Sequence, residues 1–197
     1  MNAPPSDSEL ILAVLNGQGE RFAEIVQRYR APLLRAAESR LQRRDLAEDV
    51  VQETFLCVHK SLHTYDSRYS FRTWLWTILL NQCRRRQKRE SRQPEVQSWG
   101  SLVGNDAGWS AEASPQALAS SEAEPADQVM AREQSRVLEE LLDQLPEAQA
   151  DALRLRFFGG LKFHEIAAAM GCSLSSAKNR VRLGLTRMSE LMNQTLK

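Results

Sequence analysis

The chain has 197 residues, 42% of them hydrophobic and 26% charged, with a formal net charge of +1; this is ordinary globular composition, long enough for two small cores, and it excludes a general attraction to polyanions. Any nucleic-acid binding must therefore come from local segregation of charge. Cys57, Cys83 and Cys172 are odd in number and never form a C-x-x-C pair, which argues against a disulfide framework or a zinc knuckle and fits a reducing cytoplasm.

Met1–Glu9 has neither the basic start nor the apolar run of a signal peptide, and no apolar stretch nears the roughly 20 residues of a membrane span, so no membrane insertion is expected. The first domain, within residues 1–89, reads as all-helical. Leu10, Ile11, Val14 and Leu15, then Phe22, Ile25, Val26 and Tyr29, then Leu33, Leu34, Ala37 and Leu41 recur at three- and four-residue intervals, the pattern of amphipathic helices. Gly17, Gly19 and Pro32 are read as interruptions between them. A further helix is expected to begin at Asp45, whose carboxylate suits the first-turn amides while Glu48 completes a capping box. Val50, Val51, Phe55 and Val58 would then face inward, leaving Asp45, Glu48, Asp49, Gln52 and Glu53 as a compact acidic and amide surface. An ordinary solvated helix face would carry similar residues.

Next comes a loop, His63–Ser70, with two aromatics and an arginine, then a helix from Ser70 or Phe71 to about Arg89 with Phe71, Trp74, Leu75, Ile78 and Leu79 on its inner stripe. Its far end, Arg84–Arg89, holds five cations in six residues. Cations there complement the helix dipole at about 0.3–1 kcal/mol each, but five exceed that need, and phosphate binding accounts for the excess. Tyr65 and Tyr69 suit either core plugs or platforms for unpaired bases, where stacking contributes about 1–3 kcal/mol per base.

Residues 90–126 lose helical periodicity and are rich in Ser, Ala, Gln, Gly, Pro and Glu. Acidic residues from Glu90 to Glu124, and Asp127 just beyond, are opposed only by Arg92. A flexible acidic linker is expected, and a tether of about 38 residues has an r.m.s. span of roughly 30–37 Å, enough for two domains to reach separate sites.

The second domain, residues 127–197, opens with a stripe of Val137, Leu138, Leu141, Leu142 and Leu145 ended by Pro146. Leu153, Leu155, Phe157 and Phe158 follow, before Gly159 and Gly160 stop a second helix. Ile166, Ala167, Met170, Gly171, Cys172, Ala177 and Val181 are spaced as a helix-turn-helix requires: small Ala where helices cross, Gly at a left-handed turn, apolar anchors on both helices. Ser173 is placed to cap the second helix. Ser175, Ser176, Lys178, Asn179, Arg180 and Arg182 populate its sides, the residue types that read base edges and phosphates in a major groove.

Several of these stretches carry one resemblance. Asp45–Leu56 (DLAEDVVQETFL), Phe71–Asn81 (FRTWLWTILLN), and Leu141–Glu147 (LLDQLPE) followed by Leu161–Gly171 (LKFHEIAAAMG) resemble, in order, segments of the extracytoplasmic-function (ECF) group of bacterial RNA polymerase sigma factors. The resemblance implies an all-α protein of two helical domains, a region 2-like bundle and a region 4-like helix-turn-helix. Asp45, Glu48, Asp49, Gln52 and Glu53 match the surface that docks on basic coiled-coil helices of core RNA polymerase. By position, Tyr65, Arg68, Tyr69 and Asn81 would capture a flipped base of the minus-ten promoter element, with Arg84 and Arg85 on the backbone or base edges. Ser175, Ser176, Lys178, Asn179, Arg180 and Arg182 would meet the minus-thirty-five element. The implied partners are core polymerase, promoter DNA and an anti-sigma factor. One departure is visible: Lys162 stands where the family usually has a capping Ser or Thr, so Glu165 is expected to lose its capping-box partner, with fraying worth about 1 kcal/mol.

No Gly-rich phosphate loop, nucleophile elbow or convergent carboxylate set is present. His59 and His63 lie four apart, but Cys57 does not complete a metal spacing. The reading is an alternative sigma factor, with no enzymatic activity, metal or cofactor. Its rival is a stand-alone helix-turn-helix repressor whose first domain dimerises or senses a ligand.

Overall fold

The computed structural model describes residues 4–67, 69–91 and 137–195, and every regular element among them is helical: α1 (Asp7–Leu15), α2 (Phe22–Leu41), α3 (Arg44–Ser61), α4 (Phe71–Glu90), α5 over 137–143, α6 (Glu147–Phe157), α7 (Phe163–Met170) and α8 (Leu174–Thr195). Short 3-10 turns at Gly19–Arg21 and Leu62–Thr64 join the early helices. No described helix is long and apolar enough to cross a membrane. Residues 92–136, which take in the expected linker 90–126 from Arg92 onward and the first residues of the expected second domain, lie outside the described residues, as does Arg68; Glu90, the first position of the expected linker, is the last residue of α4.

α1 begins with a true capping box: the Glu9 amide donates to Ser6 Oγ at 3.3 Å, and the Ser6 amide donates to Glu9 Oε2 at 2.7 Å, satisfying two otherwise free amides. Asp7 then accepts from Arg28 and from the Tyr29 hydroxyl, fastening α1 to α2. Burial, then the Asp7 carboxylate, push the Tyr29 phenol up to about 12.

α2 runs unbroken through Pro32, where the sequence suggests an interruption. Proline removes one amide from the ladder, but Ile25 and Tyr29 before it, and Leu33, Ala36 and Ala37 after it, lie on one buried stripe. Packing on both sides outweighs the missing bond. The helix ends at Gln42, a left-handed residue (φ 55°) whose amide donates to the Glu38 carbonyl at 2.9 Å.

The start of α3 also differs from expectation. Arg43 is the capping residue, no side chain caps the helix, and Asp45 sits inside the first turn. The adjacent cations explain this: Arg43 pairs with Asp45, and Arg44 Nε donates to Glu48 Oε1 at 3.1 Å, so both carboxylates are drawn to guanidinium groups instead of forming a box. The inner face is as expected, with Val50, Val51, Phe55 and Val58 buried.

α4 is capped by Ser70, which accepts from the Thr73 amide. Phe71, Leu75 and Leu79 are buried; Trp74 and Ile78 are half-buried at the margin. Trp76, off that stripe, is only 1% exposed. It is covered by the turn after α6: a Cβ built on Gly159 would lie 2.9 Å from Trp76 Cε2.

In the second module Leu153 and Leu155 are buried and Phe158 half-buried, whereas Phe157 is exposed. Gly171 is left-handed (φ 60°) between α7 and α8, and Ser173 Oγ accepts from the Ser176 amide at 3.1 Å, capping α8. Ala177 and Val181 turn inward. At α7 the expected loss at Glu165 is only half right. Lys162 has no acceptor to offer, yet Glu165 keeps its own half of the box, accepting the Lys162 amide at 2.8 Å, and also accepts from Thr73 Oγ1 of α4 at 3.2 Å. Burial pushes this carboxyl up, but donors from Lys162, Ser70 and Thr73 outweigh it and hold it below the usual range.

The buried apolar residues thus form one connected cluster from Leu10 to Met188. The two modules meet through α4 with α7 and α2 with α6.

Candidate nucleic-acid and protein interfaces

Three polar surfaces stand on this scaffold. The first is the outer face of α3, where the side chains of Asp45, Glu48 and Asp49 are 63%, 48% and 58% exposed, and Gln52 and Glu53 are exposed beside them. Arg43 holds the Asp45 carboxyl below the usual carboxylate range, chiefly by hydrogen bonding. Asp49 lies 3.6 Å from Arg86 of α4. Pairs this exposed are worth roughly 0–1 kcal/mol and are screened by salt, so a partner's cations can replace them at little cost.

The second surface runs along α4. Tyr69 is 66% exposed, but Tyr65 is half-buried, its ring 5.7 Å from Phe71 and 5.3 Å from Trp74 by centroids, its hydroxyl donating to the Tyr69 carbonyl at 2.5 Å. Tyr65 thus braces the loop, and Tyr69 presents its ring. Asn81, Arg84 and Arg85 are exposed, and their three- and four-residue spacing puts them on one side of the helix. A rise of 1.5 Å per residue sets them roughly 15–21 Å along the helix from its start beside the tyrosine loop. This face presents amide and guanidinium donors to an anionic partner. Of the cations at the end of α4, Arg84 lies 3.4 Å from Asp151 of the second module, and Arg86 pairs with Asp49 of α3 at 3.6 Å.

The third surface is the early part of α8. The Ser175 and Ser176 hydroxyls gather on Ser173 Oγ at 2.9 and 2.8 Å, Lys178 and Asn179 are exposed, and Arg182 Nη2 donates to Asn179 Oδ1 at 3.0 Å. Arg180 is half-buried, its Nη1 4.0 Å from Met170 Sδ. This side of α8 is free of acidic residues until Glu190, so it offers hydrogen-bond donors at the start of a helix that fits a major groove.

Sequence reasoning missed a fourth cluster, Arg40, Asp151 and Arg154, whose side chains are 1%, 2% and 6% exposed. Arg40 follows Leu33, Ala36 and Ala37 at helical spacing, and a charged residue on an apolar stripe is the signal that marks it. Among the described residues no group of three or more His, Cys, Asp and Glu is placed to hold a metal ion; His59 packs edge-on to Phe22 at 4.9 Å.

Residues 25–93 match the family model for sigma-70 region 2, and residues 135–188 match sigma-70 region 4. The chain is similar to the ECF RNA polymerase sigma factor RpoE of Cereibacter sphaeroides, 32% identical over 148 residues that span 75% of this chain and 72% of that one. It is also similar to the RNA polymerase sigma factor NccH of Alcaligenes xylosoxydans xylosoxydans, 28% identical over 195 residues and 99% of both chains. The fold resembles that of the sigma factor RpoE of Bartonella quintana, solved in complex with the anti-sigma factor NepR, at a TM-score of 0.62 and 24% identity over 87% of this chain and 96% of that one. A stand-alone repressor would account for the helix-turn-helix but not for the region 2 bundle that precedes it. The chain belongs to the extracytoplasmic-function group of RNA polymerase sigma factors, alternative sigma factors that direct transcription initiation.

Proposed function

We propose that this sigma factor divides its work among three surfaces, with residues 1–89 and 127–197 as separate promoter-reading domains joined by the acidic linker 90–126. Asp45, Glu48, Asp49, Gln52 and Glu53 dock on basic helices of core RNA polymerase, where complementary charge speeds encounter and fixes register. Tyr69, with Tyr65 bracing the loop and Arg68 assisting capture, stacks on a minus-ten base at about 1–3 kcal/mol, offsetting much of the few kcal/mol needed to flip it. Asn81, Arg84 and Arg85 hold that strand. Ser175, Ser176, Lys178, Asn179, Arg180 and Arg182 meet the minus-thirty-five element in the major groove.

The chemistry of RNA synthesis belongs to polymerase, and the chain acts in the cytoplasm without a cofactor. In this reading the linker threads toward the polymerase cleft, where its negative charge mimics nucleic acid. An anti-sigma factor is the expected inhibitor, since a solved sigma factor of like fold is held by one.

The observation that carries the reading is the segregation of charge on the first module: exposed carboxylates on the outer face of α3, exposed cations on the end of α4. The test is promoter affinity with and without core polymerase, followed by fluorescence anisotropy. Weak binding alone that becomes tight and sequence-specific on adding core supports it. Tight operator-like binding by a dimer of the chain alone contradicts it.

A further inference from the structure

The contact between α6 and the first module is polar at its centre. Asp151 faces three guanidinium groups: it pairs with Arg40, accepts from Arg154 Nη1 at 3.4 Å, and accepts from Arg84 Nη2 at 3.4 Å. Two of those arginines, Arg40 at the end of α2 and Arg84 on α4, belong to the first module. Arg40 also pairs with Glu147, and its Nη2 donates to Gln87 Oε1 at 3.1 Å, while Gln87 Nε2 donates back to the Arg40 carbonyl at 3.2 Å. Arg154 reaches across, donating from Nε to Ser39 Oγ at 3.0 Å and from Nη2 to the Ser39 carbonyl at 2.8 Å.

Viewed from the first module alone, Arg40, Arg84 and Gln87 form a socket for an anion, and Arg84 is shared with the α4 face that carries Asn81 and Arg85. The closed molecule fills it imperfectly. Arg40 Nε is buried without a hydrogen-bond partner, and Arg154 is crowded against Arg40. A buried charge network with an unsatisfied donor is held weakly compared with its value in an anion complex that meets every donor.

We propose that Arg40 and Arg84 form a phosphodiester site of the first module, and that Asp151 occupies it in the closed molecule as an internal stand-in for that phosphate. Promoter DNA then competes with α6 for the same socket, and parting of the modules frees it. This inference deepens the proposed function, because it adds Arg40 to the minus-ten surface and makes Asp151 an autoinhibitory residue.

The experiment uses the full chain, small-angle scattering to report compactness, and anisotropy with a labelled single-stranded oligonucleotide at fixed salt, without polymerase. Asp151→Asn leaves Arg40 and Arg154 buried without their carboxylate, which favours opening; affinity for the oligonucleotide should rise about tenfold or more, bounded by the closed-to-open ratio of the unaltered chain. Glu147→Gln, at a side chain 64% exposed where folding is not at risk, should raise it severalfold and expand the molecule less. Adding Arg40→Gln to either variant should cancel most of the gain while leaving the molecule open.

Unchanged affinity in a variant that scattering shows to be open would overturn the proposal, as would a gain that survives Arg40→Gln. Should Asp151→Asn lose its helicity, Glu147→Gln alone decides. Failure of the unaltered chain to direct initiation with core polymerase would instead contradict the proposed function, and the oligonucleotide result would still stand.

Discussion

Gly159→Ala probes the meeting of the two modules. The added Cβ would lie 2.7 Å from the Leu155 carbonyl oxygen, 2.7 Å from Leu161 Cδ1 and 2.9 Å from Trp76 Cε2. None of these has room to retreat: Leu155 and Leu161 are 0% exposed, Trp76 is 1% exposed, and one of the obstructing atoms is backbone. Overpacking of this kind costs about 1–3 kcal/mol, while alanine recovers roughly 0.4–1 kcal/mol by stiffening the unfolded chain. The net loss should be on the order of 1–2 kcal/mol. Two of the three obstructions lie in the same turn, but the third is contributed by α4 of the other module. In a Trp76→Leu background, the alanine should therefore cost at least about 0.5 kcal/mol less, the signature of residues in contact. Urea denaturation of the four proteins, with slopes compared to check that the same surface unfolds, gives the coupling. An identical alanine cost in both backgrounds would refute the reasoning, since it would mean that Trp76 and Gly159 do not touch in solution.

Two further outcomes follow from the same geometry. The Tyr29 phenol is raised from 10.0 to about 12, so the folded state holds that proton more tightly; the stability it confers is fully present below pH 10 and is lost as pH rises through 12. Tyr29→Phe should cost about 1.5–3 kcal/mol at neutral pH by removing the bond to the Asp7 carboxylate, and should flatten the alkaline loss in urea titrations at stepped pH; an unchanged alkaline slope contradicts the assignment. Lys178→Ala should weaken holoenzyme binding across promoter sequences and lower the logarithmic salt slope by about 0.9 if it neutralises one phosphate. A sharp change in base preference with an unaltered slope would place Lys178 on a base edge instead.

The helices were legible wherever local periodicity decided them. Val50, Val51, Phe55 and Val58 on α3, and Leu75 and Leu79 on α4, are inner-face residues in both sequence and structure, because three- and four-residue spacing puts them on one side whatever surrounds them. Gly171, Ser173 and Ala177 were legible for a similar reason: a left-handed turn, a cap and a close crossing each demand a particular residue type. What escaped was set by neighbours distant in sequence or by competition among charges. Trp76 is buried where the distant Gly159 turn lies against it, a contact no local pattern announces. Arg40 drew no reading from the sequence, because its partner Asp151 lies 111 residues later. Asp45 and Glu48 have the spacing of a capping box, and Arg43 and Arg44 captured them. Tyr65 and Tyr69 were equivalent in sequence; packing against Phe71 and Trp74 separates the brace from the exposed ring.

In the proposed function, the carboxylates of α3 are the point of attachment to polymerase. Asp49→Lys with Glu53→Lys reverses that surface and, among the described residues, gives up the partly exposed pair with Arg86, so folding should change by no more than about 1 kcal/mol. Run-off transcription from a cognate promoter, with saturating core enzyme and equal amounts of either protein, is the direct measurement. The unaltered chain should direct initiation, and the folded double variant should direct almost none while failing to co-purify with core. Equal transcript from both would contradict the claim.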